Sequence, residues 1–386
     1  MASIRKRTWT SAGSVKTAWI VDYFDQHRIR RLKTFPTKKA AEKFRDETGR
    51  EIRQGIHTAD STSATVGQAA DQWLDHCQAE GLEKSTIRQR SQHIELHIKP
   101  YIGSVKLSQL TAPLVNKFVT TLRDNGRSLA MRRKALTSLK TLISYAEDNG
   151  MVAQNVARGV KIKATKRADV GAMDAGDKMP TKDELRAMIE KVSGRWRPFI
   201  VTAIFTGMRA SELRGLPWDN VDLEGGVIRV RQRADAWGTI GAPKSKAGFR
   251  DIPLAPMVVN ALKEWKLECP KGDLNLVFPN TVGNVEHHSN IWQRGFEPLQ
   301  FKCGITADSG RKDKEGNPIL KGKYGLHALR HAAASLFIEQ GWTPKRVQTV
   351  IGHASIQMTF DLYGHLFKDG DDDREEMKQV QALLIA

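Results

Sequence analysis

The hydrophobic period of this chain changes from two residues to 3.6 at Thr65, and no single layer of secondary structure accommodates both. Ahead of that point Ala18, Ile20, Asp22 and Phe24 fall on one side of an extended segment and Trp19, Val21 and Tyr23 on the other. Residues 28–35 repeat the alternation. After Pro36, Thr37 is placed to cap a helix with Ala40, Ala41 and Phe44 on one face and Lys38, Lys39, Lys43 and Arg45 in water. The first sixty residues thus predict three strands and a helix. From Thr65 onward a capping box, Thr65 with Gln68, opens an apolar stripe of Val66, Ala69, Ala70, Trp73, Leu74 and Cys77. Three more helices are expected over residues 85–98, 111–122 and 128–148, with Pro113 in a first turn and Leu136, Leu139, Leu142 and Ile143 facing inward. Asn149-Gly150 ends the last of them, and Arg88, Arg90, Lys117, Arg132, Arg133, Lys134 and Lys140 are left on the outer faces.

Two stretches without period, Ser61-Thr62-Ser63-Ala64 and residues 166–179, read as linkers. Beyond the second, Thr181 and Glu184 form another capping box, opening a mostly helical segment interrupted by strands near residues 226–232 and 249–254. At 386 residues the chain exceeds one ordinary core. The expected fold class is multidomain: a small α+β module at residues 1–60, an all-α domain at 65–165, and a mainly α domain with a small antiparallel sheet at 175–386.

Charge separates these parts further. Sixty-one Lys and Arg against 43 Asp and Glu leave a formal +18, yet residues 171–386 hold 30 bases and 27 acids, so nearly all the excess lies in front of them. A single basic run reads as a solvated helix face, but an excess of this size repels itself unless a polyanion relieves it. Residues 369–386 hold six acids and two bases, and Val380, Leu383, Leu384 and Ile385 follow the acids at helical spacing. That tail is expected to form a short helix docked on a neighbouring subunit; the alternative is a helix folded back on its own domain. No apolar run reaches the roughly 18 residues of a bilayer span, and the basic N-terminus has no apolar stretch behind it, which sets aside membrane insertion and secretion. Cys77, Cys269 and Cys303 are far apart and show no metal-ligand spacing; a reducing, cytoplasmic setting fits and a zinc site does not.

Four fragments of the last segment carry chemistry. They are Thr206-Gly207-Met208-Arg209-Ala210-Ser211-Glu212, the basic stretch from Lys244-Ser245-Lys246 to Arg250-Asp251-Ile252-Pro253, His327-Ala328-Leu329-Arg330-His331, and Ile351-Gly352-His353, which is followed ten residues later by Tyr363. Each alone has a bland reading. Arg209 can form a helix-terminal ion pair with Glu212, Lys244 and Lys246 a solvated hairpin tip, and Tyr363 a core residue with its hydroxyl tied off.

In this order and spacing the fragments resemble the tyrosine recombinase family, the phage-type integrases, and the resemblance spans nearly the whole chain. It implies that the last domain is that family's catalytic domain, residues 65–165 its helical, SAM-like core-binding domain, and the first sixty its arm-binding module. It further implies Tyr363 as the nucleophile that leaves a 3'-phosphotyrosyl link and a free 5'-hydroxyl, with His327 as its base. Arg209 and Arg330 would grip the non-bridging phosphate oxygens, and His353 would donate a further hydrogen bond there. Lys244, or Lys246 in its place, would protonate the leaving 5'-oxygen, and Glu212 would orient the site. The chemistry is coherent, because a phenol of pKa about 10 needs a base and a cationic surrounding to attack at neutral pH. Ala332-Ala333-Ala334 and Ile351 depart from the family's usual wording without touching these positions.

No cofactor is expected. Cationic side chains would meet every charge on the phosphate, no carboxylate cluster for two-metal chemistry is evident, and the free energy of the broken bond stays in the phosphotyrosine. The partners implied are double-stranded DNA at core and arm attachment sites, a homotetramer on that DNA, and DNA-bending and directionality proteins, in a bacterial cytoplasm with no membrane contact. The expected function is site-specific recombination that integrates and excises a phage or mobile element. A chromosome-dimer resolvase of the same family would have no use for the extra basic module, and a non-catalytic DNA-binding regulator none for the full set of site residues. A type IB topoisomerase shares the phosphotyrosine chemistry and is separated by supercoil relaxation on DNA lacking attachment sites.

Overall fold

The computed structural model describes residues 2–11, 14–25, 28–55, 57–60, 63–163, 179–367, 378 and 381–382. Most of the two expected linkers and of the acidic tail lies outside these residues. The chain divides into two compact units, Met1–Lys166 and Arg167–Ala386.

In the first unit, strands β1 (Ser3–Ser11), β2 (Ser14–Phe24) and β3 (Arg30–Phe35) form an antiparallel sheet in the order β1-β2-β3. The period-two pattern decides which face is covered. Val21 and Tyr23 pack with Trp19 and Phe35 against Ala41 and Phe44 of helix α1 (Lys38–Arg53), which Thr37 caps by accepting from the Ala40 N–H. The opposite face presents Arg5, Arg7, Lys16 and Arg30 to solvent, together with the exposed apolar side chains of Trp9, Phe24 and Leu32.

The rest of this unit is helical: α2 (Val66–Ala79), α3 (Lys84–His93), α4 (Lys99–Ile102), α5 (Ala112–Asp124) and α6 (Leu129–Asp148). The Thr65–Gln68 capping box is formed in both directions, and Thr111 and Ser128 cap α5 and α6 through their hydroxyls. Residues 85–98 were expected to be one helix. The helix starts at Lys84 and widens into a π-turn at Ile94–Ile98, which buries Ile94, His97 and Ile98 together. Trp73, Phe118, Leu139 and Leu142 fill the core between the helices. Arg88, Lys117, Arg133 and Lys134 are exposed as expected. Arg90 instead lays its guanidinium over Trp73 at 4.8 Å, where its stem and charge are both used.

The second unit opens with α7 (Lys182–Lys191) behind the predicted Thr181–Glu184 box, then α8 (Trp196–Thr206) and α9 (Ala210–Arg214). Strands β4 (Val221–Asp222), β5 (Val227–Val230) and β8 (Arg250–Pro253) make a small antiparallel sheet in the order β4-β5-β8, while β6 (Arg233–Ala234) and β7 (Ile240–Gly241) pair as a separate hairpin inserted between β5 and β8. Helices α10 (Pro256–Glu268), α11 (His288–Asn290) and α12 (Glu297–Lys302) follow, then a hairpin of β9 (Thr306–Lys312) and β10 (Pro318–Gly322). Then come α13 (His327–Glu339), α14 (Pro344–Ile351) and α15 (Ile356–Tyr363). Helix α8 carries Phe199, Ile200 and Ile204 into the main core, which explains why it is apolar on all sides. Ala334, Ile338, Val347 and Ile351 form a smaller core on α13 and α14 that closes around Tyr363. Among the described residues no helix is long and apolar enough to cross a membrane.

Candidate active site

Two helix ends build the frame. Gly207 ends α8 and Gly352 ends α14, both in the left-handed region, at φ 61° and 76°, which an L side chain adopts only at a cost. Space is also short: a Cβ on Gly207 would lie 2.6 Å from Ile351 Cδ1, and one on Gly352 2.9 Å from the Ala247 carbonyl. Each turned glycine carbonyl then holds an arginine. Arg330 Nη1 donates to Gly207 O at 2.8 Å, and Arg209 Nη2 donates to Gly352 O at 2.9 Å.

Glu212 lies beneath them, almost fully buried, and accepts four hydrogen bonds. Arg209 donates through its backbone N–H at 2.9 Å and Nη1 at 2.8 Å, and Arg250 through Nη1 at 3.1 Å and Nη2 at 2.8 Å. Burial alone pushes a carboxyl up, but the hydrogen bonds and charge of Arg250, then Arg209, outweigh it and hold Glu212 at about 2. Arg250 also donates from Nε to the Val350 carbonyl at 2.6 Å and from Nη1 to Gly248 O at 3.0 Å, so one buried guanidinium joins β8, α9 and the end of α14. Sequence reasoning did not single it out. In the sequence it is one more cation of a basic stretch, and its only distinguishing signal is its inward place in a short alternating strand, Arg250 and Ile252 buried against Asp251 and Pro253 exposed.

Arg330 is buried, and its Nη2 has no hydrogen-bond partner among the described residues. Burial, then the neighbouring charge of Arg209, pushes this guanidinium down to about 9, still cationic at neutral pH. A desolvated cation with a spare donor is a site prepared for an anion.

Tyr363, the last residue of α15, is 3 % exposed, and burial pushes its phenol up to about 12 against the opposing pull of Arg330. His353 is buried and its ring lies parallel to that of Tyr363, with centroids 6.3 Å apart, while its Nδ1 is within 3.0 Å of the Thr359 hydroxyl. Burial and then the charges of Arg330 and Arg209 press His353 down to about 4. His327 begins α13 and is likewise pressed down to about 4 by desolvation, His331 and the two arginines. The residue as a whole is exposed at the mouth of the site.

The imidazole in hydrogen-bond contact with the Tyr363 hydroxyl is that of His331, at 2.6 Å. This residue too was left without a role in the sequence, although its i,i+4 spacing from His327 puts both on one face of α13. Lys244 and Lys246 are both exposed on the segment joining β7 to β8. Arg209, Glu212, His327, Arg330, His353 and Tyr363 are thus brought to one place by five helices, and the ion pair of Arg209 with Glu212 coexists with the larger constellation. Such a cluster defines a phosphoryl-transfer class of site, with cations around one tyrosine hydroxyl and neutral imidazoles beside it.

The comparisons with known proteins agree. The pattern of the phage integrase family matches residues 178–369, and that of the phage integrase N-terminal SAM-like domain matches residues 65–123. A XerC-like tyrosine recombinase of Caldanaerobacter subterraneus is 25 % identical over 86 % of this chain and 86 % of its own length. The ICEBs1 integrase of Bacillus subtilis is 23 % identical over 89 % of this chain and 91 % of its own. Among solved structures, the Tn1549 transposon integrase in complex with transposon right end DNA superposes with a TM-score of 0.65 at 22 % identity, covering 82 % of this chain and all of that one. A lambda integrase tetramer bound to a Holliday junction gives a TM-score of 0.56 at 17 % identity over 91 % of this chain and 94 % of that one. The chain belongs to the phage integrase family and is a tyrosine recombinase.

Proposed function

We propose that this recombinase breaks and rejoins DNA at the attachment sites of a phage or mobile element, integrating and excising it through a 3'-phosphotyrosyl intermediate, with Tyr363 as the nucleophile. The observation that carries the reading is the buried Arg330 guanidinium, one nitrogen of which has no partner among the described residues, in the same small cluster as the Tyr363 hydroxyl. Arg209 and Arg330 hold the non-bridging oxygens and stabilise the charge that builds in the pentacoordinate transition state. His353 supports the same oxygens, His327 stands at the mouth of the site as base, and Glu212 fixes Arg209. Lys244 protonates the leaving 5'-oxygen, and Lys246 is the second candidate; the exposure of this segment suits a group that closes on bound DNA.

Three domains divide the work: residues 1–60 bind arm sites, 65–165 bind core sites, and 175–386 carry out catalysis, as a homotetramer on DNA. The exposed sheet face with Arg5, Arg7, Lys16 and Arg30 beside Trp9 supports the first assignment, since basic and aromatic groups on one face suit a nucleic acid. DNA-bending and directionality proteins act as accessory partners of the assembly.

The test is to map cleaved ends on duplex DNA spanning the junction between the DNA that carries this gene and its host chromosome. Defined 3'-linked cuts at that junction support the reading. Equal relaxation of supercoiled plasmid lacking the junction overturns it in favour of a topoisomerase.

A further inference from the structure

The hydroxyl that attacks in the proposed reaction is held by a histidine to which neither the sequence nor the proposed mechanism gives a task. His331 Nδ1 lies 2.6 Å from the Tyr363 oxygen, within the range of a strong hydrogen bond. Its ring meets that of Tyr363 at a tilted 5.8 Å and that of His327 edge to face at 4.9 Å, so it stands between the nucleophile and the histidine at the mouth of the site. The contact joins α13 to the last residue of α15, and Ala334 is buried in the same small core as Tyr363.

We propose that His331 is a catalytic residue of this recombinase, the direct acceptor of the Tyr363 hydroxyl proton during cleavage and its donor during rejoining. The inference rests on Tyr363 being the nucleophile. With the ring proton on Nε2, Nδ1 is free of hydrogen and accepts from the phenol. As the Tyr363 oxygen bonds to phosphorus, its proton passes to Nδ1, the bond from phosphorus to the 5'-oxygen breaks, and that oxygen takes a proton from Lys244. In rejoining, the 5'-hydroxyl attacks and returns its proton to Lys244, and Nδ1 returns the other to the departing Tyr363 oxygen. No proton is gained or lost over the cycle.

The groups near His331 include His327 on its own helix, Tyr363 on α15, and His353 on the segment between α14 and α15. The charge His331 gains in the step is balanced by the phosphate that the arginines hold. In this assignment the base role proposed above for His327 passes to His331, and His327, edge to face against it, supports its ring.

The experiment is single-turnover cleavage of a nicked duplex spanning the junction DNA defined above, followed as covalent adduct on a denaturing gel from pH 5.5 to 9 by wild type, His331→Ala and His331→Asn. The asparagine amide can still meet the tyrosine hydroxyl but cannot take its proton. Thermal melting and gel shift on the same duplex check that each variant folds and binds. The proposal expects both variants to bind normally and to cleave on the order of 100-fold more slowly, with a rate that keeps rising with pH where the wild type levels off. A wild-type rate and pH profile in either variant overturns it, and full rescue by Asn alone reduces His331 to a positioning residue. Failure of the parent reading has a different signature, an adduct that survives Tyr363→Phe.

Discussion

Arg250 closes a bidentate pair on Glu212, Nη1 to Oε1 at 3.1 Å and Nη2 to Oε2 at 2.8 Å, with both side chains 2 % exposed. A fork matched to a carboxylate fixes direction as well as distance, and through Glu212 it fixes Arg209. Arg250→Ala leaves a buried carboxylate short of its main partner and is expected to cost about 3–5 kcal/mol of stability. Arg250→Lys restores the charge but not the fork, so it should recover less than half of that loss. Denaturant titration of the whole chain measures both, and a lysine variant as stable as wild type would show that geometry is unimportant here.

Acid should weaken the second unit in two stages. His353 and His327 are held at about 4 in the fold against an ordinary 6.5, so the unfolded chain binds more protons below 6.5 and stability falls as pH drops from there to about 4. Glu212 is held at about 2 against 4.5, and its contribution, present above 4.5, is lost as pH falls from there through about 2. The melting temperature should decline in the upper window for wild type and less steeply for His353→Gln. A flat profile between pH 7 and 4 would remove the histidines from the account.

What the sequence made legible follows from where the information lies. Capping boxes at Thr65 and Thr181, the alternation around Val21 and the strands near residues 226–232 and 249–254 are local patterns, and each appears in the structure. The hairpin of β9 and β10 went unread because eight of its twelve residues are exposed and no apolar alternation marks it. Hairpin β6–β7 has strands too short to carry a period. In the site, the residues of the four fragments could be named in advance because their order and spacing are distinctive. Arg250 and His331 could not be given tasks, because one is defined by burial against a residue 38 positions away and the other by a contact spanning 32.

The sheet of the first unit offers an independent test of the arm assignment. Arg5 and Arg7 lie on the face opposite α1, across from Ile20 and Ala18. Replacing both with Ala should weaken binding to arm-site DNA and flatten its salt dependence by about two units of slope, while cleavage at an isolated core site is unchanged. An unaltered slope would place the DNA on another surface.

Lys244 and Lys246 can be told apart by easing the leaving group. If Lys244 is the acid, Lys244→Ala should slow cleavage about 100-fold on ordinary DNA and recover on a substrate whose bridging 5'-oxygen is replaced by sulfur, which departs without a proton. Lys246→Ala should cleave both substrates at rates near wild type. The reverse pattern would exchange the two roles.

The chain has five tyrosines, and the account requires that one of them alone becomes linked to DNA. Trypsin digestion of the gel-purified covalent complex, followed by mass spectrometry of the DNA-linked peptide, identifies it. The predicted peptide is residues 347–368, modified at Tyr363, and it should be absent when Tyr363→Phe is used. A DNA-linked peptide carrying Tyr324 or any other residue, or an adduct that forms undiminished in Tyr363→Phe, would contradict the account.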